Sequence, residues 1–283
     1  MTRVSVTTTL IALAAFLASS VVYALSLAGF GLSANVAEVS GPLSLSLMQS
    51  GVAARDLAWS QDVTRFFVQP NNFVLWTLLV IVWGSLAAYG FEMLRRAQMV
   101  PARPKWAERL PAPAVDPVAP ADPADHQPTE LAPIAAALMA GALWPWLTTS
   151  HPVMAFLLTI AMMLAALTAL IRGQREGQKL RFHRSVAIFA GWATAVSYAS
   201  FASILSVNLG MSPGFAATIA MVLCASVGMV VQAQIGHGTS YSIALIWALV
   251  GLAIAAMETQ PNVAIAAVIG ITAMIIMLVR AAS

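Results

Sequence analysis

Eight separate runs of apolar residues, each long enough to cross a lipid bilayer as a helix, constrain this chain more than any other feature. About 18 to 20 apolar residues span the hydrocarbon layer, and a run of that length is typical of a transmembrane helix. Only 9% of the residues are charged, whereas a soluble domain has about a quarter. The chain is therefore predicted to be an all-α integral membrane protein. The predicted spans are residues 5–30, 72–94, 132–149, 152–171, 184–206, 213–233, 240–257 and 262–280.

The basic residues of the loops predict the orientation, because Lys and Arg accumulate on the cytoplasmic side of membrane proteins. With eight spans, every Lys and Arg except Arg55 and Arg65 falls on one side of the membrane. Both termini are therefore predicted to be cytoplasmic, in a bacterial inner (cytoplasmic or intracytoplasmic) membrane. An alternative is that residues 1–24 are a cleaved signal peptide, but the apolar run continues to Phe30, which favours a retained first helix.

Two long loops interrupt the series of spans. Residues 31–71 are predicted to be periplasmic, and the helical spacing of the apolar side chains in residues 59–67 predicts a short amphipathic helix on the membrane surface. Residues 97–131 are predicted to be cytoplasmic. They contain the run PAPAVDPVAPADPADHQP, which cannot build a core and is therefore interpreted as an extended tether.

Ionisable side chains within the spans usually mark ion coupling or proton relay, and here they are almost absent. This argues against a proton- or sodium-coupled transporter. No P-loop, HExxH, CxxC or GxSxG motif is present, so the chain is predicted to be non-enzymatic, with no catalytic residue. Cys224 is the single cysteine, and His183 and His237 are more typical of solvated loop residues than of ligands. No metal site is therefore predicted.

The tryptophans give the strongest indication of a binding site. Three of them lie too deep in their spans to serve as interfacial anchors, and each has a small residue on the same helical face. Large flat rings beside small residues suit a pocket for a flat apolar ligand, and the alternative is ordinary packing between helices. Trp76, Trp144 and Trp146 are instead interpreted as interfacial belt residues. The predicted ligand-binding residues, expected to border one common cavity, are Trp83, Ala87, Trp192, Ala199, Trp247 and Gly251.

Four runs of the sequence resemble one family of membrane proteins. The run GWATAVSYAS, from Gly191, resembles the fifth-helix pattern GWxTVAxxAN of the tryptophan-rich sensory protein (TspO) family, the bacterial relatives of the peripheral benzodiazepine receptor. The runs YSIALIWALVGLAIA, from Tyr241, and GALWPWL, from Gly141, resemble AYALVLIWALIGIA and NALWxxxW of its longer bacterial branch. The run that begins RFFVQPNNF at Arg65 resembles its loop and second helix. Ser200 and Gly141 stand where the family has Asn.

The resemblance implies a TspO-like five-helix bundle over residues 1–206, extended by a three-helix membrane unit over residues 207–283. It also implies a sensory or regulatory protein that binds a porphyrin or other tetrapyrrole, or a sterol-like lipid. One alternative function is an accessory structural subunit of a larger membrane complex, such as a photosynthetic pigment–protein assembly, and a third is a passive small-molecule transporter. The predicted partners are the lipid bilayer, an apolar small-molecule ligand and, in the alternative, other membrane subunits; no nucleic-acid partner is predicted.

The predicted topology is tested with reporter fusions placed after Arg109 and after Arg181. Both positions follow runs of basic residues that the eight-span arrangement assigns to the same side of the membrane. Both fusions are expected to report a cytoplasmic location, and a periplasmic signal from either one would disprove the arrangement.

Overall fold

In the computed structural model, every predicted span is an α-helix, and the prediction of an all-α membrane protein with eight helices is confirmed for the described residues. The helices are α1 (Arg3–Ser26), α2 (Phe73–Met99), α3 (Leu131–Leu147), α4 (Pro152–Arg175), α5 (Leu180–Leu209), α6 (Pro213–Ile235), α7 (Ser240–Ala256) and α8 (Pro261–Ala282). The structure describes residues 3–26, 72–99, 131–148, 150–175, 180–236, 238–257 and 260–282, and also Thr64, Phe67 and Pro70.

Six of these helices are long and apolar enough to cross a membrane, while α3 and α7 are shorter apolar helices. The end of the first predicted span, residues 27–30, lies outside the described residues. So do the Pro-rich tether and most of the predicted surface helix in residues 59–67. Within that stretch the structure describes Thr64 and Phe67, and both are buried.

Proline and glycine set several helix boundaries. Pro152, Pro213 and Pro261 each occupy the first position of a helix, where the missing backbone N–H costs nothing and the fixed φ suits the first turn. After α5 and α6 the chain turns at Gly210 and Gly236, whose φ angles of 65° and 66° are unfavourable for other residues. The helix boundaries therefore follow from the same residues that flank the apolar runs in the sequence.

Helix α5 lies at the centre of the bundle and is the most buried of the six long helices. It packs against α2, α4, α6 and α7, while α7 packs in turn against α2 and α8. On the other side of the bundle, α3 packs between α1 and α4. The predicted boundary between residues 1–206 and 207–283 falls within this packing, close to the end of α5, and the division remains a prediction.

Helices α1 and α3 run parallel, as alternating passage through a membrane requires. The hydroxyl of Thr9 donates to the Leu131 carbonyl at 3.5 Å, and that of Ser19 donates to the Ala142 carbonyl at 2.6 Å. From the first of these bonds to the second, the residue number rises in both helices, so the two helices run in the same direction. Which side of the membrane the two helices start from remains a prediction.

Glycine allows the two central helices to approach closely. A Cβ added at Gly191 of α5 would lie 2.7 Å from the backbone oxygen of Tyr241 and 2.9 Å from the Cβ of Ala244, both in α7. Lipid tails supply no hydrophobic force between helices, so such close backbone contacts are a main source of association energy in a membrane. The Tyr241 hydroxyl also donates to the Thr194 hydroxyl at 3.3 Å.

A buried glutamine fixes the turn that leads into α7. The side-chain amide of Gln232 donates to the carbonyls of Gly236 and Gly238, both at 2.9 Å, and its oxygen accepts a hydrogen bond from Ser242. Gln232 is only 1% exposed, so an unpaired amide there would be costly. Because its donors and acceptor are all paired, this residue stabilises the turn and thereby the position of α7 against Gly191.

The contact at Gly191 is tested by Gly191→Ala, with Gly84→Ala as the matched control. The added methyl group at position 191 meets backbone atoms that cannot move independently, so we expect the free energy of unfolding to fall by about 1–3 kcal/mol. At Gly84 nothing lies within 4 Å of an added Cβ, and the higher helix propensity of Ala is expected to stabilise by up to about 1 kcal/mol. Thermal unfolding of the detergent-solubilised variants measures both effects; equal shifts would disprove the close approach.

Candidate ligand site

Three aromatic rings pack together in the interior of the bundle. Trp192 of α5 stacks on Phe189, with ring centroids 5.9 Å apart and an interplanar angle of 30°. Phe16 of α1 meets Phe189 edge-on at 5.4 Å and Trp192 at 5.9 Å. All three side chains are at most 1% exposed. We call these three residues the aromatic cluster; each such pair contributes about 0.5–1.5 kcal/mol beyond the burial of apolar area.

The small size of Gly141 allows Phe16 to reach the cluster from α1. A Cβ added at Gly141 would lie 2.9 Å from two atoms of the Phe16 ring and 3.1 Å from the sulfur of Met162. Phe16 therefore occupies the space beside α3 that any larger residue at position 141 would need. The family pattern that the sequence resembles has Asn at position 141. The packing of Phe16 against α3 therefore depends on the replacement of this Asn by Gly.

Trp144 lies on the interior side of α3, one turn beyond Gly141. It is 1% exposed, and within the described part of the chain its indole nitrogen has no hydrogen-bond partner. The interpretation of Trp144 as an interfacial belt residue is therefore wrong. Trp146 does lie on the outer side, 51% exposed, and its indole nitrogen donates to the Ser19 hydroxyl at 2.8 Å.

The interpretation of both Trp144 and Trp146 as belt residues overlooked their spacing. Residues two apart on a helix point about 200° apart, so Trp144 and Trp146 cannot both face the lipid. Gly141, three residues before Trp144, marks the interior side because close packing there excludes a side chain. The spacing alone indicates that only one of the two tryptophans faces the lipid, and the packing at Gly141 identifies Trp144 as the interior one.

Trp83 and Ala87 are not brought to the aromatic cluster by any described contact. Trp83 is partly buried, and its indole nitrogen donates to the Ser20 hydroxyl of α1 at 2.9 Å. Ala87 is exposed on the outer side of α2, so the prediction that its side chain lines an interior cavity is wrong. The inner side of α2 is instead formed by Leu79, Val82 and Leu86, which alternate at helical spacing and leave position 87 facing outward.

Trp247 and Gly251 of α7 hold the first turn of α2. The Trp247 indole donates to the Val74 carbonyl at 2.9 Å, and the Asn72 amide donates to the Gly251 carbonyl at 3.0 Å. The Asn72 oxygen also accepts the Leu75 backbone N–H at 2.9 Å, which caps the start of α2. The Leu75 side chain fills the space where Gly251 has none.

Of the six predicted ligand-binding residues, therefore, Trp192 and Ala199 share the interior of α5, where both are buried. The described contacts place Trp83 against α1 and Trp247 against α2, so they do not join the three tryptophans around one cavity. Ligand binding by these residues remains a prediction.

Comparison with known families identifies the fold. A family model described as "TSPO-like protein" matches residues 125–280, which is more than half of the chain. The chain belongs to this TSPO-like family. No curated protein and no solved structure gives a match. The matched region of this TSPO-like protein begins shortly before α3 and ends within α8, so it lies on both sides of the predicted boundary at residue 206.

The matched region of the TSPO-like protein includes Trp144, Phe189 and Trp192, whereas Phe16 lies outside it. Small hydroxyl side chains accompany these residues in the interior. Thr159 of α4 and Ser197 of α5 are at most 1% exposed, and the Ser197 hydroxyl donates to the Thr159 carbonyl at 2.7 Å. The interior of the bundle thus combines large rings with small polar groups that are already paired.

The structure gives no indication of a metal centre in the residues it describes. In that part of the chain no group of three or more His, Cys, Asp or Glu side chains could hold a metal ion. His151 is exposed and Cys224 is buried. The side chains of His183 and His237 lie outside the described residues.

The contacts between α7 and α2 are tested with Trp247→Phe, Asn72→Ala and the double variant. Each single change removes a hydrogen bond between the same two helices, so each is expected to lower the free energy of unfolding by about 1–2 kcal/mol. The double variant is expected to lose less than the sum, because release of the first turn of α2 weakens the remaining bond. Thermal unfolding measures the three values, and additivity within about 0.3–0.5 kcal/mol would show that the bonds act independently.

Proposed function

We propose that this TSPO-like membrane protein is a sensory or regulatory receptor that binds a flat apolar ligand, a tetrapyrrole or a sterol-like lipid, at the aromatic cluster. The observation that carries this proposal is the burial of Trp192 in a stack of rings inside a bundle of the TSPO-like family. A flat ligand can replace ring–ring contacts of the cluster with similar contacts of its own. The sequence contains no motif for catalysis, so the proposed role is non-enzymatic.

The residues fit such a ligand in their chemistry. Trp192 and Phe189 offer stacking surfaces that need little ordering, since an aromatic side chain has only two rotatable bonds. Phe16 fills the space beside Gly141, so a ligand at Trp192 requires the Phe16 ring to rotate away. The contacts that Phe16 loses, about 0.5–1.5 kcal/mol per aromatic pair, are offset by stacking of the ligand on the same partners.

The movement of Phe16 supplies a route to regulation. Phe16 belongs to α1, which also contacts α3 through Ser19 and receives the Trp83 indole at Ser20. A ligand that displaces the Phe16 ring therefore changes how α1 packs against its neighbours. In this proposal Trp83 and Trp247 position α2 by their hydrogen bonds, rather than touching the ligand. The accessory-subunit and passive-transporter alternatives remain predictions from the sequence.

The proposed site is tested by titration with protoporphyrin IX and its dimethyl ester in protein-containing and empty nanodiscs. Porphyrin absorbance is the readout, because it does not depend on the tryptophan that is replaced. We expect saturable binding to the wild type and about tenfold weaker binding to Trp192→Phe, which corresponds to about 1.4 kcal/mol. Trp247→Phe is the matched control, and its affinity is expected to equal that of the wild type.

The possible outcomes separate the receptor from its alternatives. Absence of saturable binding to the wild type would refute the receptor, and stoichiometric co-purifying polypeptides would then favour the accessory subunit. Equal losses in Trp192→Phe and Trp247→Phe would show that the aromatic cluster is not the site.

A further inference from the structure

The Trp144 indole is a buried hydrogen-bond donor without an acceptor. Its side chain is 1% exposed, and it carries the sole buried side-chain nitrogen or oxygen without a partner in the described part of the chain. The indoles of Trp83, Trp146 and Trp247 all donate to an oxygen at 2.8–2.9 Å. An unpaired N–H is costly in a membrane interior, where no bulk water can pair with it. Such a donor is suited to an acceptor that arrives with a ligand.

The helix register places Trp144 at the same depth as a group of buried hydroxyls. Gly141 of α3 lies level with Met162 of α4, and the short connection between these helices makes them antiparallel. Trp144 is three residues after Gly141 in α3, and Thr159 is three residues before Met162 in α4. Because the helices are antiparallel, Trp144 lies level with Thr159. Ser197 of α5 is level with Thr159 as well, because its hydroxyl donates to the Thr159 carbonyl.

The hydroxyl groups of this layer already donate hydrogen bonds to backbone carbonyls. Thr159 donates to Phe156 at 2.8 Å, and Ser200 donates to Val196 at 3.0 Å. The single hydroxyl hydrogen of Ser197 has the carbonyls of Thr159 and Ala193 as acceptors. The N–H that this layer has available for a ligand is therefore that of Trp144, and the ligand group that matches it is an acceptor.

The acceptor must be neutral, because this layer offers no counter-charge from the described residues. Arg184 is thirteen residues from Ser197 along α5, and Arg172 is thirteen residues from Thr159 along α4. At 1.5 Å per residue both arginines begin about 20 Å away along the helix axes. His151 is nearer, eight residues before Thr159 and about 12 Å along the axis, but its side chain is exposed rather than buried in this layer. A carboxylate buried with one N–H donor and no cation would be strongly unfavourable, whereas a carbonyl oxygen needs only that donor.

We infer that the ligand is a neutral, flat, apolar molecule with a carbonyl oxygen at its edge, which accepts a hydrogen bond from the Trp144 indole. This inference rests on the proposed function, with the flat part of the ligand at Trp192. Five residues separate Trp192 from Ser197 along α5, which is about 7.5 Å. The acceptor therefore belongs at the edge of the ligand rather than at its centre.

The test compares two neutral porphyrins, of which only one carries this acceptor, in variants with and without the Trp144 indole. Protoporphyrin IX dimethyl ester carries ester carbonyls at its edge, and etioporphyrin carries only alkyl groups. Each is titrated into nanodiscs that contain the wild type, Trp144→Phe or the matched control Trp146→Phe, and the readout is the ratio of the two dissociation constants. A general loss of packing or of ring contact weakens the binding of both porphyrins alike, so it leaves the ratio unchanged.

We expect the wild type to bind the ester at least tenfold more tightly than etioporphyrin, and Trp144→Phe to lose this preference. Trp146→Phe is expected to keep it, because the Trp146 indole donates to Ser19 on the outer side of α3. Protoporphyrin IX itself, with charged carboxylates, is expected to bind more weakly than its ester.

Each other outcome overturns a defined statement. Saturable binding of both neutral porphyrins with equal affinity in the wild type overturns the carbonyl inference and leaves the proposed function standing, even where Trp144→Phe fails to fold. Tighter binding of the diacid than of the ester overturns the requirement for a neutral acceptor. No saturable binding of any of the three overturns both the inference and the proposed function.

Discussion

The close approach of α5 and α7 at Gly191 is the contact on which the rest of the structure depends. Helices in a bilayer gain little from the hydrophobic effect, so backbone proximity and hydrogen bonds between helices must hold them together. At Gly191 the α7 backbone lies where a side chain would otherwise be. This contact places Tyr241 against Thr194 and brings Trp247 within reach of α2. The order of the central helices therefore follows from one missing side chain.

Indole N–H groups form a second level of organisation. Trp83 bonds α2 to α1, Trp146 bonds α3 to α1, and Trp247 bonds α7 to α2. Two of these bonds end on the neighbouring residues Ser19 and Ser20. Each of these three indoles thus connects two helices of a bundle whose chain carries few charges.

The positions of the helices could be predicted from the sequence because the thickness of the bilayer determines the length of each apolar run. Proline and glycine then mark where the runs end, as Pro213 and Gly236 do for α6. The direction in which a side chain points is a different problem, since almost every side of these helices is apolar. Ala87 was assigned to the interior by its spacing from Trp83, although the contacts of α2 leave it outside. Trp144 was interpreted as an interfacial residue, although its side chain is buried inside the bundle.

The burial of a candidate site residue could be predicted where a glycine stands next to it in the sequence. Trp192 follows Gly191, whose contact with α7 turns this part of α5 inward, so its burial agrees with the pattern from which the site was predicted. The contribution of Phe16 could not be predicted, because nothing in α1 indicates that its ring would cross to α5. That contact depends on the absence of a side chain at Gly141, in another helix and far away along the chain.

The first two helices therefore complete the part of the chain that matches the TSPO-like family. The match begins before α3, yet α1 supplies Phe16 to the aromatic cluster, and Asn72, which caps the start of α2, donates to the backbone of α7. The Phe16 ring lies against both Gly141 and Trp192. In the proposed function, movement of this ring opens the interior of the matched region. The coupling between ligand and bundle in this proposal lies in α1, which is held by the hydrogen bonds of Ser19 and Ser20.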